Sequence, residues 1–495
     1  MRAATALRWA AACIAAAMLL ALTENAASAH PERLRFFWGV DLLAALPLAL
    51  TAALLGALRP RPRPWPWTLA ALSLLVGALL SGVAVFAGGV DSGLQTATQW
   101  RRASPLPYLR ADDARPIVLI SVDTWRHDSL EHMPLLAARA QHAAHYTRAR
   151  STAPWTLPSM ASLVTGQSVH SHGAGRRAHA VETGVRSGIQ PNLPLLAESL
   201  QDRGYVTVGV LSNPYLGASL GFHRGLDRVS DATREALMRD QLRESLLLRA
   251  LLPPVSDDAE SQVDRALQRW GRIHEGQGFL WVHLVDAHVP YGGPREGCHL
   301  PDCFPSWVPV RRGEADPDRD HIESLYRRDL SALDAALDRL LTQVQGEDTL
   351  VILVGDHGEA FGPGTQVEHG HSFADPVMRV PLLVWGPGVQ PGEIGRPVDL
   401  RTVHDALLDY ADTGALAALD PGLPGVVTPM ASLLYGPEGS ACSDGWNTVQ
   451  DRGQGPEAVE GQLTPELVGC LPGPLPLATG ALEIDAALRS LGYVD

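Results

Sequence analysis

Ile117-Val118-Leu119-Ile120-Ser121-Val122-Asp123 is a run of aliphatic, mostly β-branched residues that ends on a carboxylate. A short run with no polar face reads as a strand buried on both sides. The same shape recurs three times. Tyr205 to Leu211 ends at Ser212-Asn213, Phe279 to Val285 at Asp286, and Leu350 to Val354 at Gly355-Asp356. Helical patterns lie between and after them, at Leu193–Arg203, Tyr326–Val344 and near Leu400–Tyr410. Strands alternating with helices predict an α/β fold, a mostly parallel sheet flanked by helices. Ligands of such sheets gather beyond the carboxyl ends of the strands. Here those ends carry Asp123, Asp286 and Asp356.

The rest of the chain sets the context. It has 495 residues and a formal charge of −14, and its 40 basic residues are all arginine. No basic patch is built, which argues against a nucleic-acid partner. Gly 47 and Pro 38 fall short of a low-complexity composition. The first 89 residues differ in character from the remainder. Residues 36–58 and 67–88 are apolar stretches of about 20 residues, enough to cross a bilayer core of roughly 30 Å. Residues 7–22 read either as a further span or as a signal peptide ending at Ala26-Ala27-Ser28-Ala29. The loop Arg59-Pro60-Arg61-Pro62-Arg63-Pro64-Trp65-Pro66 is short and basic, so it stays cytoplasmic and the chain after about residue 89 lies outside. Seven arginines against Glu24, Glu32 and Asp41 give residues 1–89 a charge of +4, leaving −18 for the remainder.

This reading predicts a membrane anchor over 1–89, a polar linker over 90–114, a catalytic domain over 115–435 and a Cys-containing extension over 436–495. The lipid bilayer is the first expected partner, and the location is the cell membrane with the domain extracytoplasmic (periplasmic). The cysteines agree. Cys13 sits in the first apolar stretch, and the other four suit a disulfide-permitting compartment, paired by proximity as Cys298–Cys303 and Cys442–Cys470. A metal site at Cys298–Cys303 is the alternative reading of that pair. Beyond Arg379-Val380-Pro381 the strong strand pattern is lost.

An acidic residue at one strand end is commonplace. Three of them, with His357 directly after Asp356 and His288 two residues after Asp286, point to a metal. Carboxylate with imidazole favours zinc or manganese over calcium. Thr156-Leu157-Pro158-Ser159-Met160 opens a helix, with Thr156 expected at the N-cap and Pro158 in the first turn. A hydroxyl there faces backbone N–H groups that favour an anion, and a metal on it would make it a nucleophile.

At this point the chain resembles the sulfatases of the alkaline phosphatase superfamily. Ile120 to Asp128 is similar to that family's first metal-binding strand. Thr156 to Met160, followed by Leu163-Val164-Thr165-Gly166 and His170-Ser171-His172-Gly173, resembles its nucleophile signature. Asp286-Ala287-His288-Val289-Pro290-Tyr291, Gly355-Asp356-His357-Gly358-Glu359, Glu368-His369-Gly370 and Arg379-Val380-Pro381-Leu382 complete the set over roughly 115–435. The family also places a small antiparallel sheet with a helix near the C-terminus.

The departures from the pattern are informative. Thr156 stands where the family converts Cys or Ser to formylglycine, Met160 replaces the supporting Arg, Thr124 replaces the second Asp, and His357 holds a position often taken by Asn. Asp123, Thr156, Asp356 and His357 together are similar to superfamily members with a threonine nucleophile, the phosphodiesterases and the membrane-anchored phosphoethanolamine and phosphoglycerol transferases. The resemblance implies that Asp123, Asp356 and His357 hold a divalent metal with Thr156. Arg126 would steady the equatorial oxygens, and His288 or His369 would protonate the leaving group. Asp286, His288 and His369 form an alternative second metal site, and His371 is an alternative to His369. Arg126 has a structural reading too, as the partner of Asp128. The expected activity is hydrolysis or transfer on phosphate, or sulfate, esters of the envelope. A true sulfuric ester hydrolase and a non-catalytic binding module are the alternatives.

Overall fold

A computed structural model describes residues 115–175, 187–231, 258–289, 291, 319–361, 369–370, 372–416, 428–432, 439–444, 447–451 and 455–471. The expected spans, the linker and the Cys298/Cys303 pair lie outside the described residues. Among the described residues, no helix is long and apolar enough to cross a membrane.

The strands before residue 400 are β1 (Ile117–Val122), β2 (Ala144–Tyr146), β3 (Ala149–Arg150), β4 (Val206–Leu211), β5 (Arg228–Asp231), β6 (Gly278–Leu284), β7 (Leu350–Gly355), β8 (Arg379–Val380), β9 (Leu382–Trp385), β10 (Gly392–Ile394) and β11 (Val398–Asp399). Eight of them form the main sheet, in the order β10-β2-β9-β7-β1-β6-β4-β5. Every pairing is parallel except the two made by β9, which runs antiparallel between β2 and β7. β1 lies at the centre with all six residues buried, as its unbroken apolar run requires. The sequence pattern misses β9. Leu382-Leu383-Val384-Trp385 is only four residues long, too short to show a period, yet all four are buried.

The helices cover the sheet. Arg319–Val344 begins earlier than its apolar spacing indicates, and Leu196–Gln201 is shorter than expected. The helices Thr156–Thr165 and Arg401–Thr413 pack into the main core with Leu157, Met160, Val403 and Leu407, against Ile117, Leu119, Ile352 and Val354 of the central strands. Beyond residue 427, strands Thr428–Ser432, Gly439–Ser443, Thr448–Asp451 and Glu457–Glu460 form an antiparallel sheet. It is closed by the helix Pro465–Cys470 and the disulfide Cys442–Cys470. Ala441 of this sheet is buried with Ala360, Phe373, Val377 and Met378. The small sheet therefore braces the segment that follows β7.

Candidate active site

The carboxyl ends of β1 and β7 are neighbours, with Val122 opposite Gly355 in register. The next residue on each strand is an aspartate, so Asp123 and Asp356 meet in a fully buried pocket. Asp123, Asp356 and His357 offer three ligand atoms within 4.8 Å of one another. Thr124, between the strand end and its turn, has φ +52°. That region is costly for a β-branched residue, and such strain concentrates at functional sites. The turn is held because Thr124 donates its backbone N–H to Asp356 Oδ1 (3.1 Å) and accepts Tyr326 O–H (3.0 Å) on its carbonyl.

Each carboxylate shows one oxygen to donors and turns the other inward. Asp356 Oδ1 takes the N–H groups of Thr124 and His357 (2.6 Å), while its Oδ2 is buried and accepts no hydrogen bond among the described residues. Asp123 Oδ2 takes the Asn213 amide at 2.5 Å, while its Oδ1 lies 3.4 Å from His357 Nε2. His357 Nδ1 is engaged by the Gly358 carbonyl at 2.9 Å, which leaves Nε2 as the inward atom.

The charges are unbalanced. Burial and the charge of Asp123 push the Asp356 carboxyl up to about 6. Burial would also raise Asp123, but His288, His283 and His357 hold it well below the usual carboxylate range. Burial opposes protonation of His357, yet Asp356 and Asp123 raise its pKa to about 9. Two carboxylates, one of them with a bare buried oxygen, and one imidazole are the donor set of a divalent cation, which would satisfy what is left unpaired.

Thr156 enters this group from the opposite wall. The helix Thr156–Thr165 starts one residue earlier in the chain than a threonine cap would have it. The N-cap is Trp155, in extended conformation, and Thr156 is the first helical residue. Its hydroxyl is therefore not spent on capping. Oγ1 lies 3.3 Å from Asp123 Oδ2 and 3.3 Å from His357 Nε2. Buried Trp155 sets the entry by packing edge-on against Tyr215.

A family model for sulfatases matches residues 116–413, more than half of the chain. The chain belongs to the sulfatase family. An arylsulfatase of Volvox carteri is 26% identical over 148 residues, spanning 27% of this chain and only 22% of the algal protein. Two solved structures share the fold, each covering 70% of this chain. A 2-O GAG sulfatase does so with TM-score 0.52, 15% identity and 85% of its own chain. The phosphonate monoester hydrolase of Agrobacterium radiobacter does so with TM-score 0.52, 18% identity and 89% of its own chain.

Around this site the remaining expected residues separate. His288 and His369 come together with ring centroids 5.1 Å apart, and His369 lies 4.5 Å from His357. His288 Nδ1 meets the Val289 carbonyl (2.6 Å) and His369 Nδ1 meets Glu359 Oε2 (3.2 Å). In their neutral forms both rings thus carry the proton on Nδ1 and the lone pair on Nε2. Burial pulls the His288 pKa below its ordinary value. Asp286 faces elsewhere, accepting the Ala259 N–H at the start of helix Ala259–Trp270. The Arg126 guanidinium forks onto Asp128 and donates to the Glu359 carbonyl, so three of its N–H groups are engaged within the protein.

Three further residues at the site are not among the expected site residues. Asn213 donates to Asp123, His283 faces Asp123 Oδ2 at 3.6 Å, and Glu359 holds His369 and the Tyr291 hydroxyl (2.5 Å). Asn213 has a hint as the polar residue that follows a buried strand, and Glu359 as the last residue of the Gly355–Glu359 motif, while His283 has none.

Proposed function

We propose that this sulfatase-family chain is a membrane-anchored, extracytoplasmic, metal-dependent enzyme that cleaves or transfers phosphate esters, or less readily sulfate esters, through Thr156. The observation that carries this reading is the Thr156 hydroxyl, buried in the first turn of a helix and within 3.3 Å of both Asp123 and His357. The anchor is supported by the two long apolar stretches before residue 89 and by the disulfide Cys442–Cys470. Zinc or manganese suits the mixed carboxylate and imidazole donors better than calcium.

A divalent ion held by Asp123, Asp356 and His357 would lower the pKa of the Thr156 hydroxyl and offset negative charge on the reacting ester. The protein supplies the rest. Thr156 Oγ1 attacks phosphorus in line, the P–O bond to the leaving group breaks, and a phosphothreonine ester remains. The first-turn N–H groups of Thr156 and Leu157, unused by the helix, would be the donors to the equatorial oxygens. His369, oriented by Glu359, or His288 takes the Thr156 proton on its Nε2 and gives it to the departing oxygen. The same residue then takes one from water or an acceptor alcohol, which releases the product and regenerates Thr156. With His288 and His369 ring centroids 5.1 Å apart, a second cation is the alternative use of the pair.

Charge selects among esters. With Arg126 committed to Asp128, a singly charged phosphodiester asks less of this acidic pocket than a doubly charged monoester. The test is the full-length protein in detergent, loaded with zinc or manganese. It is given matched aryl phosphodiester, phosphomonoester and sulfate, with Thr156→Ala as control. Thr156-dependent diester cleavage supports the reading. Sulfate cleavage that survives Thr156→Ala overturns it.

A further inference from the structure

The geometry points to His283 as a positioning residue that sets how Asp123 binds its cation, held in one tautomer by Ser121 and Trp281. The inference rests on the reading of Asp123 as a metal ligand. All four side chains share one face of the adjacent strands β1 and β6, where Ser121 stands opposite His283 in register and Trp281 lies two residues before it. Ser121, Asp123 and His283 are inaccessible to solvent, and Trp281 is 2% exposed.

The direction of the chain follows from its acceptor end. The Asp123 carboxylate only accepts, and His283 Nε2 faces its Oδ2 at 3.6 Å. Among the described residues Nε2 has no hydrogen-bond partner of its own. A lone pair on Nε2 would oppose the carboxylate where both groups are closed off from solvent, so the proton sits there. Nδ1 is then the acceptor, and Ser121 Oγ donates to it at 2.8 Å. Ser121 in turn accepts the Trp281 indole N–H at 3.0 Å, a group that can only donate. The Val282 carbonyl, the competing acceptor for the Ser121 proton, is farther away at 3.4 Å.

The relay Trp281, Ser121, His283 thus ends as an N–H dipole on Asp123 Oδ2, beside the Asn213 amide that donates to the same oxygen. The orientation of Asn213 is fixed because its Oδ1 accepts the Tyr215 N–H. With the Asn213 and His283 N–H groups facing Oδ2, Asp123 presents Oδ1 towards His357 Nε2 at 3.4 Å and serves as a one-oxygen ligand. Partners of this kind orient the ligand and set its basicity, and removing one costs about 10- to 100-fold in metal affinity.

The measurement is the dissociation constant of zinc and of manganese for the full-length protein, by competition with a chelator. The panel is wild type, His283→Ala, His283→Gln and Ser121→Ala, with the melting temperature of each metal-free form. Wild type binds, and His283→Ala binds about 10- to 100-fold more weakly. Ser121→Ala shifts in the same direction, and His283→Gln recovers most of the loss because its amide restores an N–H. Should His283→Ala not fold, the Ser121→Ala and His283→Gln values carry the comparison. Unchanged affinity in Ser121→Ala overturns the relay. His283→Gln binding no better than His283→Ala also overturns it, because that is the behaviour of an imidazole bound directly to the metal. A wild-type chain that binds neither ion instead overturns the metal reading on which the relay stands.

Discussion

Gly358 is the position where the brace behind the site can be tested by a single methyl group. It follows His357, and the loop is stapled to helix Asp375–Met378 by Gly358 N–H on the Val377 carbonyl (2.6 Å) and Glu359 N–H on the Pro376 carbonyl (3.0 Å). A Cβ at Gly358 would stand 2.1 Å from the Pro376 oxygen, where side chains essentially never approach within 3.0 Å. About 0.9 Å of movement is therefore needed, against backbone that is itself packed on Phe373 and Ala441. Overpacking of this kind costs about 1–3 kcal/mol. The movement falls on the residues either side, His357 and Glu359, and a displacement of about 1 Å at a reacting group costs roughly 10²-fold in rate. Gly358→Ala should lower the melting temperature by several degrees and weaken zinc binding, with kcat/KM down about 10²-fold. Gly395→Ala is the control, since a Cβ there meets nothing within 4 Å. A Gly358→Ala protein with the melting temperature and metal affinity of wild type would refute the reasoning.

Two further predictions concern protons and the disulfide. In the metal-free protein His357 has its pKa raised to about 9 by Asp356 and Asp123 against the opposing effect of burial. The stability this contributes is complete below about pH 6.5 and is lost as pH rises through about 9. A cation needs the neutral imidazole, so chelator competition should show zinc affinity rising about tenfold per unit between pH 7 and 9, and a flat profile would contradict it. Removing Cys442–Cys470, which closes a loop of 28 residues, should cost about 3–4 kcal/mol. Melting of a Cys442→Ala/Cys470→Ala double variant should fall to that of the reduced wild type and be indifferent to reductant. Equal melting of oxidised and reduced wild type would refute the role of the disulfide.

How legible each element is in the sequence depends on how it is buried. β1, β4, β6 and β7 are legible because strands covered on both faces need unbroken apolar runs, and the aspartates that end β1 and β7 mark the sheet edge where ligands sit. β9 is not legible, because four apolar residues carry no period. Thr156 reads as a cap because a threonine before an apolar run usually is one. Only the extended geometry of Trp155 moves the helix start so that the hydroxyl turns to Asp123. Asp286 looks like Asp123 and Asp356 in sequence, yet the start of helix Ala259–Trp270 claims it, through a contact 27 residues distant in the chain. His283 sits inside an apolar strand and Asn213 in a turn. Their meaning comes from the register of β6 beside β1 and from Asp123, which neither local pattern contains.

The central claim is that Thr156 becomes esterified during turnover. The direct measurement is acid quench of the zinc- or manganese-loaded enzyme during steady-state turnover of an aryl phosphodiester, followed by mass analysis of the peptide containing Thr156. The account predicts a phosphoryl ester on Thr156 that builds up within one turnover, decays when substrate is exhausted, and is absent from Thr156→Ala. Turnover at full rate with the Thr156 peptide unmodified at every quench time, or undiminished in Thr156→Ala, would contradict it.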